Sequence, residues 1–249
     1  MTGVESRHSD RAAERVGSRR RDRHDRQVKR SRLRVLLWSL LVIVLLVALV
    51  VVAWFTPVLS VRKIAVTGNT AVPTEQVLDT LKIPKGQPLL RVDTEAAAHR
   101  VAQIPRVAKV RVQREFPSTI KVTVTERTPA VFFDSPQGPH LVDIEGVDFA
   151  IGPPPPGVPR LKVDSPGPND PKTKAALTVL QALPVLLRGQ VSEISVPSLS
   201  AVQVSLADGR VIAWGSSADS DRKAQVVAPL LTQPGRVYDV SSPDLPTIK

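Results

Sequence analysis

The longest apolar stretch of the chain covers residues 35–55. Its 21 positions carry no charge, and Ser39 is the only strongly polar residue among them. As a helix rising about 1.5 Å per residue, this stretch would be about 32 Å long, enough to cross a hydrocarbon core of about 30 Å. Trp38 and Trp54 lie near its two ends, where indole rings favour the membrane interface. The pattern therefore predicts a single transmembrane helix.

The charge around this apolar stretch is strongly asymmetric. Residues 1–34 contain twelve Lys or Arg against five Asp or Glu and so carry +7 of the net charge of +11. Because basic residues resist translocation, we expect a cytoplasmic N-terminus and an extracytoplasmic C-terminus. The tail lacks apolar periodicity and is predicted to be disordered. We expect contact with anionic lipid near Lys29, Arg30, Arg32 and Arg34.

A cleaved signal peptide is the alternative interpretation of this stretch, because Val51-Val52-Ala53 loosely resembles a small-residue cleavage site. The apolar core of a signal peptide is typically about 7–15 residues long, however, and the basic region before it is short. Both segments are longer in this chain. We therefore expect residues 35–55 to be retained as a membrane anchor.

Beyond the anchor, the pattern of apolar positions first predicts one strand and two helices. Residues 61–66 read as a short strand that ends in a turn at Gly68-Asn69. Pro73 suits the first turn of a helix, and an apolar face follows it. Asp93 is a good N-cap for a second helix, which Pro105 ends.

Two alternating strands follow these helices. Val110 and Val112 alternate with polar residues, and so do the apolar positions of residues 120–124. The period of two predicts a sheet with one buried face, and the short connection at Pro117-Ser118 predicts a hairpin. Residues 59–128 are therefore predicted to form a small α+β domain in the order β-α-α-β-β.

The composition changes after Val131, where a second, mainly β domain with two helices is predicted over residues 129–249. Residues 134–171 contain ten prolines, which favour an extended surface loop or a polyproline II segment between short strands. Asp170 and Pro171 then suit the start of a helix. The other predicted elements are strands at 131–133, 141–149 (with a turn), 194–196, 202–206, 210–214 and 236–242, and a helix at 220–231.

Composition excludes several classes of protein. The chain has no cysteine, so the exported part is not a disulfide scaffold and must be stabilised by packing. About 190 residues follow the anchor, enough for one or two domains with real cores. The whole chain has only three Trp, five Phe and one Tyr. Its outer region has no basic stripe interleaved with aromatic residues, so nucleic-acid binding is not predicted.

No motif predicts catalysis. Ser220 and Lys223 match the S-x-x-K pattern of penicillin-binding proteins, but the companion S-D-N and K-T-G elements are absent. We interpret Ser220 as a helix N-cap and Lys223 as a residue on an exposed turn. The sequence therefore predicts no enzyme, cofactor, metal site or small-molecule substrate. No pair with the spacing of metal ligands occurs among the histidines, which are His8, His24, His99 and His140.

The order of these parts resembles the bacterial FtsQ/DivIB family of cell division proteins, in which the β-α-α-β-β unit is a POTRA domain. The most specific match runs from Val110 to Ala130 and reads V-x-V-x-R-x-F-P-x-x-I-x-V-x-V-x-E-R-x-P-A. The second half resembles the same family at Leu141–Val147, at Asp208–Gly215 and at Val237–Pro243. The resemblance covers about residues 30–248.

This resemblance implies a non-enzymatic scaffold of the bacterial division machinery at the septum. Its outer domains would link early and late division proteins. In this family the C-terminal part of the β domain binds FtsB in complex with FtsL, and the POTRA domain contacts further division proteins. We expect an edge strand there to accept a strand from the partner. Carried over to this chain, the partner-binding residues are Val237, Tyr238, Asp239, Val240 and Ser241.

Three other functions remain open from the sequence alone. A POTRA-type assembly factor would require a β-barrel or several POTRA repeats, which the sequence does not predict. A membrane-anchored wall enzyme would depend on Ser220. An envelope sensor would use the basic tail as its cytoplasmic output.

Overall fold

The computed structural model describes residues 36–48, 51 and 59–249. Residues 36–48 are helical (helix α1), and their large apolar side chains are exposed. Across the described residues, the structure contains no helix with the length and apolarity needed to cross a membrane. The predicted tail at 1–34 and part of the predicted anchor lie outside the described residues.

A three-stranded sheet and two helices form the first folded domain. Strand β1 (Lys63–Thr67) pairs in parallel with β3 (Thr119–Glu126), which pairs antiparallel with β2 (Val107–Glu115), so that β3 is central. Helices α2 (Thr74–Leu81) and α3 (Thr94–Ala102) connect β1 to β2. The predicted order β-α-α-β-β is confirmed.

The local sequence signals of this domain act as expected. The Asp93 carboxylate caps α3 by accepting the N–H of Ala96 at 2.9 Å. In β3 the alternation places Ile120, Val122 and Val124 in the core and leaves the polar residues between them at the surface. A 3-10 turn at Leu89–Arg91, which follows Pro88, is not among the predicted elements.

The turn after β1 is held by a single carboxylate. Glu126, the last residue of β3, accepts the backbone N–H groups of Thr70, Ala71 and Val72 at 2.6, 2.9 and 2.8 Å. Partial burial raises the pKa of Glu126, but the three N–H donors and Arg106 together have a larger, opposite effect. The pKa of Glu126 therefore lies below its ordinary value. The charged form is therefore preferred in the folded protein.

We expect a Glu126→Gln substitution to destabilise this domain and to weaken its sensitivity to acid. A lowered pKa stabilises the fold above the unfolded-state pKa of about 4.3, and this contribution is lost as the pH falls through the folded-state value. At pH 7 the expected loss is about 1–2 kcal/mol. Urea unfolding between pH 3 and 7, followed by circular dichroism, measures it. The control is Glu115→Gln, since Glu115 is exposed on the same sheet; an equal effect there would contradict the prediction.

The second domain is built on one nine-stranded sheet in the order β12-β11-β10-β9-β8-β7-β4-β5-β6. Its mainly β character with helices agrees with the prediction. The strands are β4 (Val131–Ser135), β5 (Gly138–Val142), β6 (Asp148–Ile151), β7 (Arg160–Lys162), β8 (Val191–Ser195), β9 (Val202–Leu206), β10 (Val211–Gly215), β11 (Val237–Asp239) and β12 (Thr247–Ile248).

Two helices and one short helical turn accompany this sheet. Helix α4 (Pro171–Ala182) begins at the predicted position, where the Asp170 carboxylate accepts the N–H of Thr173 at 2.7 Å. The additional turn α5 (Val185–Arg188) follows Pro184. Helix α6 (Ser220–Leu230) connects β10 to β11. The two longer helices are those that the apolar pattern predicted.

The proline-rich segment contributes more to the sheet than its composition indicated. Strand β7 pairs in parallel with both β4 and β8, and it therefore connects the two halves of the sheet. Leu161 at its centre is buried. The interpretation of this part of residues 134–171 as surface loop is wrong, because its three residues all pair with β8 and Arg160 also pairs with Phe132 on β4.

The boundary between the two domains is held by an ion-pair cluster. Arg127 forms an ion pair with the buried Asp143 and a longer one with Glu145 at 3.3 Å. The other oxygen of Asp143 accepts the N–H groups of Glu145 and Val147 at 2.9 and 2.8 Å. Glu126 and Arg127 are thus neighbours in sequence whose side chains bind to different domains.

Candidate functional site

The predicted binding strand lies near one end of the nine-stranded sheet but does not form its edge. Strand β11 pairs in parallel with β10 and antiparallel with β12. The expectation that residues 236–242 form the terminal strand is wrong, because the chain leaves β11 after Asp239, turns and returns as β12. The edge of the sheet is therefore provided by Thr247 and Ile248.

The hydrogen bonds of β12 show which of its backbone groups remain available. Lys249 donates its N–H to the carbonyl of Val237 at 2.8 Å and accepts the N–H of Val237 at 2.9 Å. In an antiparallel pair, residues that exchange two bonds alternate with residues whose N–H and C=O groups point away. Ile248, the next residue along, therefore directs both backbone groups to the open side of the sheet.

The five predicted binding residues divide into two groups. Tyr238 and Val240 are buried, with relative exposures of 1% and 0%. Val237 and Asp239 are half-buried, and Ser241 is exposed. This division follows from the strand, since alternate side chains point to opposite faces of a sheet. Only the second group can reach the solvent.

Tyr238 is a structural anchor of this end of the sheet. Its hydroxyl lies 2.8 Å from the carbonyl oxygen of Gln233 and 3.0 Å from that of Gly235, so it can donate to either. The guanidinium carbon of Arg210 lies 5.9 Å from the ring centroid. Arg210 in turn bonds to Asp208 in the β9–β10 turn at 2.7 Å. Tyr238 thus connects the start of β11 to the neighbouring hairpin.

Asp239 has a negative charge that the fold supports. Its Oδ1 accepts the hydroxyl of Ser241 at 2.6 Å and the N–H of the same residue at 3.0 Å. These two hydrogen bonds, first that of the hydroxyl, lower the pKa of Asp239 against a smaller effect of burial. The carboxylate is therefore ionised well below neutral pH, and it shapes the chain where it leaves β11.

The segment between β11 and β12 lies against α6 and against the end of β10. Arg222 on α6 forms an ion pair with Asp244. At the end of β10, Gly215 has a φ of +76°, and a Cβ atom placed there would lie 2.7 Å from the Cβ of Ser241. The close approach of these two segments therefore requires glycine, because it has no side chain and tolerates a positive φ.

The predictions that Ser220 is a helix N-cap and that Lys223 lies on an exposed turn are both wrong. Asp219, not Ser220, is the N-cap residue of α6, and Lys223 is buried at 2% exposure. The Ser220 hydroxyl donates to the carbonyl of Ser217 at 2.8 Å and accepts the indole N–H of Trp214 at 3.1 Å. The Lys223 ammonium group donates to a loop carbonyl at 2.8 Å, and burial lowers the pKa of Lys223.

These contacts give Ser220 and Lys223 a role in the fold. The hydroxyl proton of Ser220 is already committed to a carbonyl, and the ammonium group is bonded to the carbonyl of Ser216. Both side chains fasten the loop between β10 and α6. In the described part of the chain there is also no group of three or more metal-ligating side chains.

Comparison with known proteins decides the family. Residues 59–127 match the family model for the POTRA domain, FtsQ-type, and residues 131–245 match the model for Cell division protein FtsQ/DivIB, C-terminal. The chain belongs to the FtsQ/DivIB family. Curated FtsQ proteins are similar over most of its length: that of Mycolicibacterium smegmatis is 53% identical over 217 residues, that of Mycobacterium tuberculosis 50% over 217, and that of Corynebacterium glutamicum 36% over 210.

The matched FtsQ segment differs in extent between these relatives. It covers 87% of this chain but 65% of the M. smegmatis protein and 69% of the M. tuberculosis protein, whereas it covers 84% of this chain and 95% of the C. glutamicum protein. The chain therefore spans about two thirds of the length of its mycobacterial FtsQ relatives. The family assignment supports a role in cell division.

Several residues of this FtsQ-family site were not identified from the sequence. Strand β12 has only two paired residues, too few for a recognisable alternation, and Pro243 and Pro246 precede it. The ion pair of Arg222 and Asp244 joins residues 22 positions apart, so no local spacing reveals it. Gly215 was part of the family pattern, but its contact with Ser241 depends on tertiary structure.

Proposed function

We propose that this protein is a non-enzymatic scaffold of the bacterial division machinery, and that its outer domains link early and late division proteins at the septum. The observation that supports this proposal is the open edge of β12. Its outward N–H and C=O groups form a template for an added strand. The membership of the chain in a family of cell division proteins identifies the process in which this edge would act.

In this proposal, residues 35–55 form a single transmembrane helix. The tail before it would stay in the cytoplasm, with anionic lipid near Lys29, Arg30, Arg32 and Arg34. The domains after it would lie outside the plasma membrane. The apolar length and the charge asymmetry of the sequence support this topology.

The partner that we propose for the β12 edge is FtsB in complex with FtsL. A strand from FtsB would pair with Ile248, and side chains of the partner would meet the accessible residues Val237, Asp239 and Ser241. Tyr238 and Val240 would contribute from the core by holding β11 in place. The POTRA domain would contact further division proteins.

A backbone substitution at Ile248 tests strand addition directly. Ile248→Pro removes the outward N–H without removing a hydrogen bond to β11, and proline is tolerated on the open side of an edge strand. We expect this variant to bind the outer segments of FtsB and FtsL about tenfold more weakly, equivalent to one lost hydrogen bond of about 1.4 kcal/mol. Isothermal titration calorimetry with the full chain in nanodiscs measures the affinity.

The matched control is Ile248→Ala, which also removes the side chain but keeps the N–H group. We expect this variant to bind nearly as well as the natural chain. An equal loss in both variants would show a side-chain contact in place of strand addition. Absence of binding by the natural chain would overturn the choice of partner.

A further inference from the structure

A row of four basic residues crosses the open face of the POTRA sheet. Lys63 lies on β1, Lys121 on β3, and Arg111 and Lys109 lie on β2, and all four side chains are exposed. They alternate with the apolar residues that pack beneath the sheet, such as Val122, so they occupy the opposite face. We name these four residues the basic row.

The register of the strands places the members of the basic row next to each other. Lys121 is opposite Ala65 on β1, two positions from Lys63. On the other side, Lys121 is opposite Gln113, two positions from Arg111. Such diagonal neighbours lie about 7–8 Å apart, and Arg111 and Lys109 are about 7 Å apart along one strand. The basic row is therefore a continuous line of charge about 20 Å long.

The charges of the basic row are not neutralised within the described structure. Among residues 59–249, the ion pairs involve other cations, and none of the four forms one. Glu115 is the one acidic residue of β1–β3 on this face, at the end of β2 beside Thr119. Like charges close together destabilise a sheet, so the arrangement costs free energy in the isolated chain.

Protection of sheet edges does not explain the arrangement. Lysine on an edge strand hinders aggregation, and this reason would account for Lys63 and Lys109. Lys121, however, lies on the central strand β3, which is paired on both sides. The neighbouring positions on this face are mostly threonine, with no aromatic or large apolar side chain. The face therefore suits a polar, anionic ligand.

We propose that the basic row binds an extended acidic segment of a partner protein. Carboxylates at alternate positions of an extended chain lie about 7 Å apart, which matches the spacing of the cations. A linear ligand also fits a single line of charge better than a planar lipid surface does. This interaction is separate from the β12 edge and does not depend on the proposed partner there.

Photo-crosslinking in the full chain locates the binding site. The chain is reconstituted in zwitterionic nanodiscs with benzoylphenylalanine in place of Thr123, which lies opposite Arg111 in the centre of the face. The probe is a fluorescein-labelled ten-residue peptide in which Glu and Thr alternate. Thr178, exposed on α4, is the control position. We expect crosslinks at position 123 and not at 178; equal crosslinking at both would overturn the proposal.

Charge reversal tests which residues hold the peptide. We expect Arg111→Glu with Lys121→Glu to reduce crosslinking at position 123 about tenfold. The control pair, Lys85→Glu with Lys174→Glu, makes the same change of charge at exposed sites elsewhere and should leave crosslinking unchanged. An equal reduction in the control would show a general effect of charge and overturn the proposal. A row variant that loses binding to anionic-lipid vesicles while keeping the peptide would assign the face to the membrane.

Discussion

A Tyr238→Asp substitution is expected to unfold the C-terminal domain. The side chain is 1% exposed, packs in the main core and has its hydroxyl bonded to backbone carbonyls. Aspartate would leave a cavity and place a carboxylate among apolar neighbours. Loss of a buried aromatic residue alone costs about 3–5 kcal/mol, and an unpaired buried charge adds to this. We therefore expect a loss of at least about 4 kcal/mol in the free energy of unfolding.

Urea unfolding followed by circular dichroism measures this loss, and Tyr238→Phe is the matched control. The control keeps the ring and removes one hydrogen bond, so it should cost about 1 kcal/mol. A stable, folded Tyr238→Asp protein that fails to bind its partner would contradict the burial of this residue. Such a result would restore Tyr238 to the binding surface.

A Gly215→Val substitution is expected to detach the segment that carries β12. Two effects combine at this position: a left-handed backbone costs a β-branched residue about 1–2 kcal/mol, and the new side chain would collide with Ser241. We expect a total loss of about 3 kcal/mol or more in the free energy of unfolding. Hydrogen exchange of the amides in β11 and β12 would rise first, because these strands depend on the displaced segment.

Gly209→Val separates the two effects. Gly209 has a similar φ of +89°, but no atom lies within 4 Å of the position that a Cβ atom would take there. This control should show the backbone cost alone and leave the exchange of β12 unchanged. Similar losses in the free energy of unfolding in both variants would mean that the close approach to Ser241 does not contribute to the effect.

Local signals allowed most of the fold to be predicted. Asp93 and Asp170 mark helix starts because a carboxylate satisfies N–H groups within three residues of itself. The alternation in β3 identifies its buried face because the strand has one face on the core. These features depend on residues that are close in sequence, so they can be predicted from the sequence alone.

The site was less predictable because its decisive features are non-local. Tyr238 is buried because its side chain faces the main core, and β12 pairs with the outer side of β11, although the sequence Val237–Ser241 is compatible with an edge strand. Lysine side chains usually lie in solvent. Lys223 is nevertheless buried, because the carbonyl of Ser216 accepts a hydrogen bond from its ammonium group. Neither the extra strand nor that carbonyl can be inferred from the spacing of residues.

The junction at Glu126 and Arg127 has a mechanical consequence. If the outer domains are pulled between the membrane and a partner bound at β12, the load passes along the backbone through these two residues. Their side chains fasten the adjoining turn of the POTRA domain and the buried Asp143 of the second domain. Lengthening the linker between the domains therefore requires the ion pair of Arg127 with Asp143 to break, while Glu126 keeps the end of β3 attached to its own turn.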